Sequence, residues 1–430
     1  MSHRELAEQC IAELHARGMD KSQVTLNNSE ARELYCNNGE ISMVRTTFNI
    51  ELRLVAIKDN KRGVVSLNKI DQTSIANAIN DVIALAQSSP PDDGHDISEF
   101  QPPEEFQYGP SEPDSDKMYD SMHIFLDGVR SSYPKTHIRE GGVAFHKNNG
   151  ILKNSNGVDY AATTGHYQFG ITFSSKEGDA TSSINGSGSL MKDLDEPFIE
   201  AANLRQLLEQ SEDEINARAF DQKFTGDIII TPHCMGAMIG PVLAQLRDHA
   251  HITGSSLFRG KLGQRVASDA LTIRSNPVSD EFAVKNFFNG DGYKNENSSI
   301  MDKGVLKSNL LTLYGARKTG LDRAKTDGAN LSIDPGTAKI ADLIKSTKKG
   351  ILLARISSGA PNDNGDFSGV AKNSYFIEDG VLTHPVKEVM VTGNVIRMIE
   401  NVVGISEETI NFGYAKYPWI KASGFTIAGK

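Results

Sequence analysis

The N-terminal part of the chain alternates between helical and extended periodicity. Ser2 and Glu5 have the spacing of a capping box, so we expect the first helix to begin there. Over residues 49–57 apolar and polar side chains alternate, which predicts a half-buried strand. Asp71 then precedes the segment 75–86, where apolar residues recur at helical spacing. The sequence therefore predicts a first unit of helix, antiparallel strands and helix.

The densest set of local patterns lies in the C-terminal stretch 365–404. The turn residues 378–380 predict a hairpin whose second strand continues to Val391. Asn394 is placed to begin a helix and Gly404 to end it. The apolar face of this helix consists of Val395, Met398, Ile399 and Val402. A helix N-terminus at the end of a strand can bind a carboxylate or an exposed peptide carbonyl through its free N–H groups.

Composition and element order divide the chain into four segments. Residues 1–89 are the N-terminal α+β unit, and residues 117–220 are a strand-rich middle region that ends in a long helix over 197–218. The segment 90–116 joins them, and its proline and acidic residues predict a solvated linker. Residues 221–430 are a mixed, β-rich C-terminal domain. The predicted fold class is α+β.

Composition argues against several classes of function. The net charge of -10 disfavours a nucleic-acid surface, because phosphate binding requires clustered Lys and Arg. No apolar run approaches the length of a membrane span. The N-terminus lacks the apolar region of a signal peptide, and the three scattered cysteines suit a reducing compartment. We therefore expect a cytoplasmic protein without direct contact to nucleic acid or membrane.

The search for catalytic motifs is mostly negative, since H-E-x-x-H, G-x-S-x-G and C-x-x-C are all absent. The richest group of potential metal ligands is His233, Cys234, His249 and His251. Side chains two positions apart on a helix point about 200° apart, so His249 and His251 could share a metal only in an extended segment. Two alternatives stay open, a zinc site that includes the Cys234 thiolate, or scattered surface and capping histidines.

Four further residues are candidates for lining a peptide-binding cleft: Tyr314, Arg317, Phe367 and Asn394. Each also has a structural interpretation. Asn394 suits a helix N-cap, and Arg317 suits the C-terminal end of a helix over 309–318. Tyr314 and Phe367 suit a core or an interface.

Several of these segments resemble the TldD/PmbA family, and the PmbA (TldE) branch in particular. The resemblance rests on G-D-F-S, I-E-D-G, P-V-x-E and G-N in that order before an amphipathic helix, and on the ending F-T-I-A-G. It extends to 152–157, 256–266 and 314–317, so it spans nearly the whole chain. Family members of the TldD type are zinc metallopeptidases with H-E-x-x-x-H on a helix and a distal Cys ligand.

The zinc ligands that the resemblance would require are missing here. The corresponding positions are about Ile239, Gly240 and Ala244, and no cysteine follows Cys234. The resemblance thus implies a subunit without zinc or another cofactor, which pairs with a zinc-bearing TldD-type subunit or with itself and acts on extended peptides. Two alternatives are an autonomous metallopeptidase with the divergent His/Cys site, and a non-enzymatic interaction protein that modulates DNA gyrase.

Overall fold

The computed structural model describes residues 2–359 and 361–429. Its N-terminal half combines long antiparallel strands with four helices. Its elements are α1 (His3–Ala16), β1 (Lys21–Asn37), β2 (Glu40–Lys58), β3 (Lys61–Leu67), α2 (Gln72–Ser88), β4 (Glu104–Tyr108), α3 (Ser115–Ser132), β5 (Thr136–Asn154), β6 (Asp159–Glu177), β7 (Ala180–Thr181), β8 (Asn185–Met191) and α4 (Leu204–Asp213). The capping box of Ser2 and Glu5 is present, and Asp71 caps α2, as predicted.

The N-terminal sheet has eight strands in the order β3-β2-β1-β5-β6-β4, with β7 and β8 also paired to β6. The helices α1 and α2 cover one part of it, where Leu14 and Val82 pack with Val24 and Leu52 in one apolar core. The helices α3 and α4 cover the neighbouring part, over a second core that contains Phe169. Strands from the predicted segments 1–89 and 117–220 therefore lie side by side in one sheet.

The C-terminal half is built on a second, larger sheet. Its elements are β9 (Arg218–Ala219), β10 (Lys223–Ile230), α5 (Pro232–Ala244), α6 (Asp248–Thr253), β11 (Ile273–Ser275), β12 (Ser298–Asp302), β13 (Val305–Leu306), α7 (Leu313–Thr319), β14 (Leu331–Ile333), α8 (Ile340–Lys345), β15 (Lys349–Leu353), β16 (Arg355–Ser357), β17 (Asp366–Lys372), β18 (Tyr375–Glu378), β19 (Val381–Lys387), β20 (Val389–Asn394), α9 (Val395–Glu400), β21 (Val402–Asn411) and β22 (Ala415–Ala428).

This sheet has the order β13-β12-β11-β14-β22-β10-β15-β18-β19-β9, and β16, β17, β20 and β21 join it beside that path. It is mixed, because β10 runs parallel to β15 and antiparallel to β22. The helices α5 and α9 contact each other and pack on β22. Ile228, Ile229 and Ile230 are fully buried beneath them, as expected for a central strand. The α+β class is confirmed.

The segment between α2 and β4 differs from the predicted solvated linker. Residues 89–103, which we call the strap, bury Ile97 and Ser98. Ser98 Oγ donates to Gly292 O at 3.1 Å, and Asn154 Nδ2 donates to Ser98 O at 3.1 Å. Downstream of the strap, β4 adds a parallel strand to β6. Proline and acidic composition predicted exposure, but the partners of these residues lie far away in the sequence.

Three predicted helices are shorter in the structure, and the one expected over 309–318 begins only at Leu313. The helix expected over 197–218 is reduced to α4 and two flanking 3₁₀ turns, because Ala202 and Asn203 adopt left-handed φ angles of 47° and 60°. The helix expected to end at Gly404 ends at Glu400, and β21 begins at Val402. No helix in the described ranges is long and apolar enough to cross a membrane.

Candidate functional site

The first residues of α5 fasten the two halves of the molecule together. His233 lies in the first turn of this helix, and its Nε2 is 3.0 Å from Ala202 O and 3.2 Å from Ser187 Oγ. A carbonyl oxygen can only accept a hydrogen bond, so Nε2 carries the proton. The ring also packs edge-on against Phe412, with centroids 5.1 Å apart. Burial lowers the pKa of His233 to about 4, so the ring is neutral at pH 7.

The structure gives the other three residues of the predicted His/Cys group separate environments. Cys234 is buried, and burial raises the pKa of its thiol to about 12, so the thiol is protonated at neutral pH. His249 is exposed, whereas His251 is buried with Nε2 3.4 Å from Ser256 Oγ. Within residues 2–359 and 361–429, no three His, Cys, Asp or Glu residues are arranged to hold a metal ion.

The middle of α5 presents no metal donor at the positions that the resemblance assigns to the zinc motif. Ile239 is buried in the apolar core. Gly240 and Ala244 are exposed together with Gly236 and Ala237, so the solvent face of the helix carries only small side chains. A Cβ atom added at Gly236 or Gly240 would have no neighbour within 4 Å. None of these side chains has an atom that coordinates zinc, so the zinc of the TldD-type pattern does not fit this helix.

Tyr314 and Arg317, predicted to line a cleft, instead hold the strap against α7. Tyr314 Oη donates to Asp92 Oδ2 at 2.9 Å, and Arg317 Nη1 donates to Asp96 Oδ2 at 2.7 Å. Arg317 Nη2 also donates to Asp93 O at 3.0 Å. Hydrogen bonds from the Gly94 amide and from Lys318 lower the pKa of Asp92 to about 2, which keeps it ionised.

Phe367 and Asn394, the other two cleft candidates, stabilise β17, β20 and α9, which together we call the platform. Phe367 is buried and its ring lies 6.2 Å from that of Phe425. Asn394 caps α9 as predicted, because Oδ1 accepts from the amides of Ile396 and Arg397 at 2.9 and 3.1 Å. Its Nδ2 donates to Asn364 O and Asp366 Oδ1, both at 2.8 Å. The cap therefore also fixes the loop before β17.

A groove between the two halves of the molecule is a candidate recess for an extended ligand. Its volume is about 660 Å³, and it lies between β5, β6 and β8 of the N-terminal sheet and Arg355 of β16. Tyr35 Oη donates to Glu140 Oε2 at 2.8 Å, and Arg355 Nη1 donates to Ile184 O at 2.8 Å. Backbone without side chains forms part of its surface at Gly141, Gly170, Gly186 and Gly188.

The groove is chemically suited to a peptide backbone. It admits another chain close to the sheet at Gly170, since a Cβ atom added there would have no neighbour closer than Ser187 O at 4.0 Å. Its walls carry one carboxylate, Glu140, and one guanidinium, Arg355, which are complementary to the two charges of a peptide or to polar side chains. The sequence did not reveal this groove, because its residues come from the strands β1, β5, β6, β8 and β16 and from the loop before β8.

Comparison with known proteins identifies relatives of this chain. The family model for the PmbA/TldA metallopeptidase C-terminal domain matches residues 223–429, which contain α5, the platform and β22. The "Metalloprotease PmbA" of Escherichia coli O157:H7 is 22% identical over 445 residues, covering 98% of this chain and 97% of the relative. The chain is thus similar to a PmbA protein over nearly its whole length, and residues 223–429 match the model of the family's C-terminal domain. The predicted resemblance is confirmed.

Other TldD/PmbA relatives agree with this assignment. A "Metalloprotease" of Methanothermobacter thermautotrophicus is 30% identical over 196 residues, which cover 42% of this chain and 43% of the relative. The crystal structure of TldE from Thermococcus kodakarensis has a TM-score of 0.84 at 18% identity, covering 99% of this chain and all of that one. A candidate modulator of DNA gyrase from Bacteroides thetaiotaomicron has a TM-score of 0.86 at 20% identity, with 99% of both chains covered. Both structures share the fold.

Proposed function

We propose that this TldD/PmbA protein is the zinc-less subunit of a TldD/TldE-type metallopeptidase complex that acts on unfolded or extended peptides. The observation that carries the proposal is the set of residue types in the middle of α5. Where the TldD-type pattern requires two His and a Glu, this helix has Ile239, Gly240 and Ala244. Without donors on α5, peptide hydrolysis requires the zinc and the general base of another subunit.

The solvent face of α5 supports contact with a second protein rather than binding of a metal. Gly236, Ala237, Gly240 and Ala244 leave a smooth surface that another backbone can approach closely. The helix is held in place at both ends, by His233 at its start and by Gln245, whose Nε2 donates to Asp363 O at 2.9 Å. Such a fixed surface suits one wall of an enclosed cleft between subunits.

The groove at Arg355 supports a role in holding the peptide. An extended chain in it would lie against open backbone at Gly170, where contact does not depend on the peptide's side chains. This mode of binding suits a subunit that presents unfolded chains to a catalytic partner. The cleft residues predicted from the sequence, Tyr314, Arg317, Phe367 and Asn394, contribute through the scaffold that surrounds the groove and platform.

Co-expression with a zinc-bearing TldD-type chain tests the proposal. We expect the two chains to co-purify and to cleave an unfolded casein substrate in a chelator-sensitive manner, while each chain alone does not. An Arg355→Ala variant of this subunit should still co-purify but should raise KM. Chelator-sensitive cleavage by this chain alone would overturn the proposal and favour the autonomous peptidase.

Modulation of DNA gyrase is a second candidate function, supported by the description of the Bacteroides relative. The net charge of -10 disfavours direct contact with DNA, so the chain would act on the gyrase protein. A supercoiling assay with purified gyrase distinguishes the two proposals. A change in the rate of supercoiling at stoichiometric amounts of this chain would support modulation of gyrase. An unchanged rate of supercoiling would contradict modulation.

A further inference from the structure

A second recess lies beside α3 and shares no residue with the groove described above. Its volume is about 410 Å³, and it runs between α3 and the segment 194–199. The α3 wall contains positions that recur along one side of the helix, namely Ser121, Phe125, Gly128 and Ser132. Eleven steps along a helix span about 16 Å, so the recess is a groove that follows α3. We call it the α3 groove.

The floor of the α3 groove is apolar and fixed. Phe125, Leu194 and Phe198 line it and are buried. Phe198 stacks on Phe169 with ring centroids 4.3 Å apart, and Phe125 meets the same ring edge-on at 5.3 Å. These rings belong to the packed core beneath α3 and α4, so the groove is formed before any partner binds.

Gly128 keeps the α3 groove open. A glycine inside a helix weakens the helix relative to alanine. No packing contact requires glycine here, since a Cβ atom added at Gly128 would have no neighbour within 4 Å. A side chain at this position would instead take up space in the recess. The sequence therefore accepts a weaker helix at a position where a larger residue would fill the groove.

The apolar surface continues beyond the recess at Ile124. This residue forms part of the α3 wall, and yet it is 71% exposed. Asp120 lies one turn before it on the same face of α3, with no hydrogen bond or ion pair from its side chain in the described part of the chain. A small molecule inside the recess would leave Ile124 in water. A partner that covers both the recess and Ile124 is therefore a macromolecule.

The charge left at the α3 groove is negative. Its only cation, Arg205, is neutralised by Glu200, to which Nε donates at 3.1 Å. Asp195 in the opposite wall pairs with a lysine of α3. Glu196 beside it has no hydrogen bond or ion pair from its side chain to any residue that the structure describes. Two carboxylates, Glu196 and Asp120, thus remain free to attract a cationic partner.

We propose that the α3 groove binds an amphipathic helix of another protein, one whose apolar side chains are flanked by lysine or arginine. The helix would lie along α3, insert apolar side chains beside Gly128, cover Ile124 and place a cation near Glu196. A second copy of this chain does not supply such a helix. Among α1 to α5, the described helices of eight residues or more, none has more Lys and Arg than Asp and Glu. The proposal is independent of the peptidase role.

Binding of a defined helical peptide to the whole protein tests the proposal. The probe is a short fluorescent peptide of leucine and lysine, with leucine at positions i, i+3, i+4 and i+7, and fluorescence anisotropy measures its affinity. We expect saturable binding with a Kd in the micromolar range. The same peptide with glutamate in place of lysine should bind about tenfold more weakly or less. The absence of saturable binding, or equal affinity of the two peptides, would overturn the proposal.

A filled groove shows where the peptide binds. Gly128→Phe should weaken binding by about tenfold or more, because the added ring occupies the recess. Its melting temperature should not fall, since the position has open space around it. Gly240→Phe is the matched control at another open helical glycine, and it should bind the peptide as the wild type does. Equal affinity of the two variants would place the peptide elsewhere and overturn the proposal.

The charge of the groove is tested separately. Glu196→Gln should weaken binding of the lysine peptide a few-fold and flatten its dependence on salt. Glu400→Gln, at an exposed glutamate that ends α9, is the control and should change neither. Identical salt dependence of the two variants would overturn the cationic partner. If phenethylamine binds and is excluded by Gly128→Phe while the peptide does not bind, a helix as the occupant is overturned in favour of a small molecule.

Discussion

The Nε2–H of His233 donates to the carbonyl oxygen of Ala202 at 3.0 Å, and this bond joins α5 to the connection between the two sheets. The same histidine was a candidate metal ligand in the sequence. Its ring is buried, neutral and packed on Phe412. Its function is therefore structural, as part of the contact that holds the beginning of α5 in place.

Replacing His233 by Ala should destabilise the fold. The substitution removes the hydrogen bond to Ala202 and the packing on Phe412, and we expect a loss of about 2–4 kcal/mol in the free energy of unfolding. Urea denaturation measures it. His249→Ala is the matched control, and because His249 is exposed its effect should stay within about 0.5 kcal/mol. Equal stability of the two variants would show that the contact at Ala202 contributes nothing.

Stability should fall between pH 7.5 and pH 5. Burial lowers the pKa of both His166 and His233 to about 4, against an ordinary value of 6.5, so the unfolded chain binds more protons throughout that window. The stability that these neutral rings retain above pH 6.5 is lost as the pH falls toward 4, and the loss by pH 5 is about 2 kcal/mol for each ring, or about 4 kcal/mol in total.

Urea titrations at several pH values measure this dependence, and His166→Gln should make it shallower. His166 stacks on His146 with ring centroids 5.3 Å apart, so a positive charge on one ring disfavours a positive charge on the other. A free energy of unfolding that stays constant or rises from pH 7.5 to pH 5 would contradict the assignment of neutral buried histidines.

Gly315 should not tolerate a methyl group. A Cβ atom at this position of α7 would lie 1.9 Å from Asp248 Oδ1, and Asp248 accepts the Thr312 amide at 2.9 Å. We expect Gly315→Ala to lower the melting temperature by about 5 °C or more. Gly236→Ala, in the open face of α5, should be neutral or stabilising, because alanine favours helices by up to about 1 kcal/mol. The reverse order of the two variants would refute the close contact between α6 and α7.

The strap should open when its contact with α7 is removed. Arg317→Ala eliminates the hydrogen bonds to Asp96 and to Asp93 O, so a glutamyl endopeptidase should cleave after Glu99 between a few-fold and about tenfold faster. Lys325→Ala removes an exposed ion pair with Glu296 and serves as the control, with no change expected. Unchanged cleavage of the Arg317 variant would mean that the strap is held by other contacts.

Local elements of this fold could be predicted from the sequence because their determinants lie within a few residues. The capping box of α1, the Asp71 cap of α2 and the Asn394 cap of α9 are examples. The site could not be predicted in the same way. Tyr314 and Asp92 are 222 positions apart, and no local pattern connects them.

The groove at Arg355 was also hidden from the sequence. It depends on strand pairings such as β1 with β5, whose register is fixed only when the sheet assembles. The missing zinc donors, in contrast, were visible directly, because the residue types at α5 decide that chemistry. The resemblance indicated which positions correspond to the zinc motif, and the structure shows which residues of α5 face solvent.

The zinc content of the isolated chain is the most direct test of the central claim, that α5 offers no site for the catalytic metal. The chain should be purified without its partner, incubated with excess zinc, dialysed and measured by inductively coupled plasma mass spectrometry. We predict well below one tenth of a zinc ion per chain. One zinc ion per chain, lost when Gly240 and Ala244 are replaced by bulky aliphatic residues in a variant that remains folded, would contradict the account.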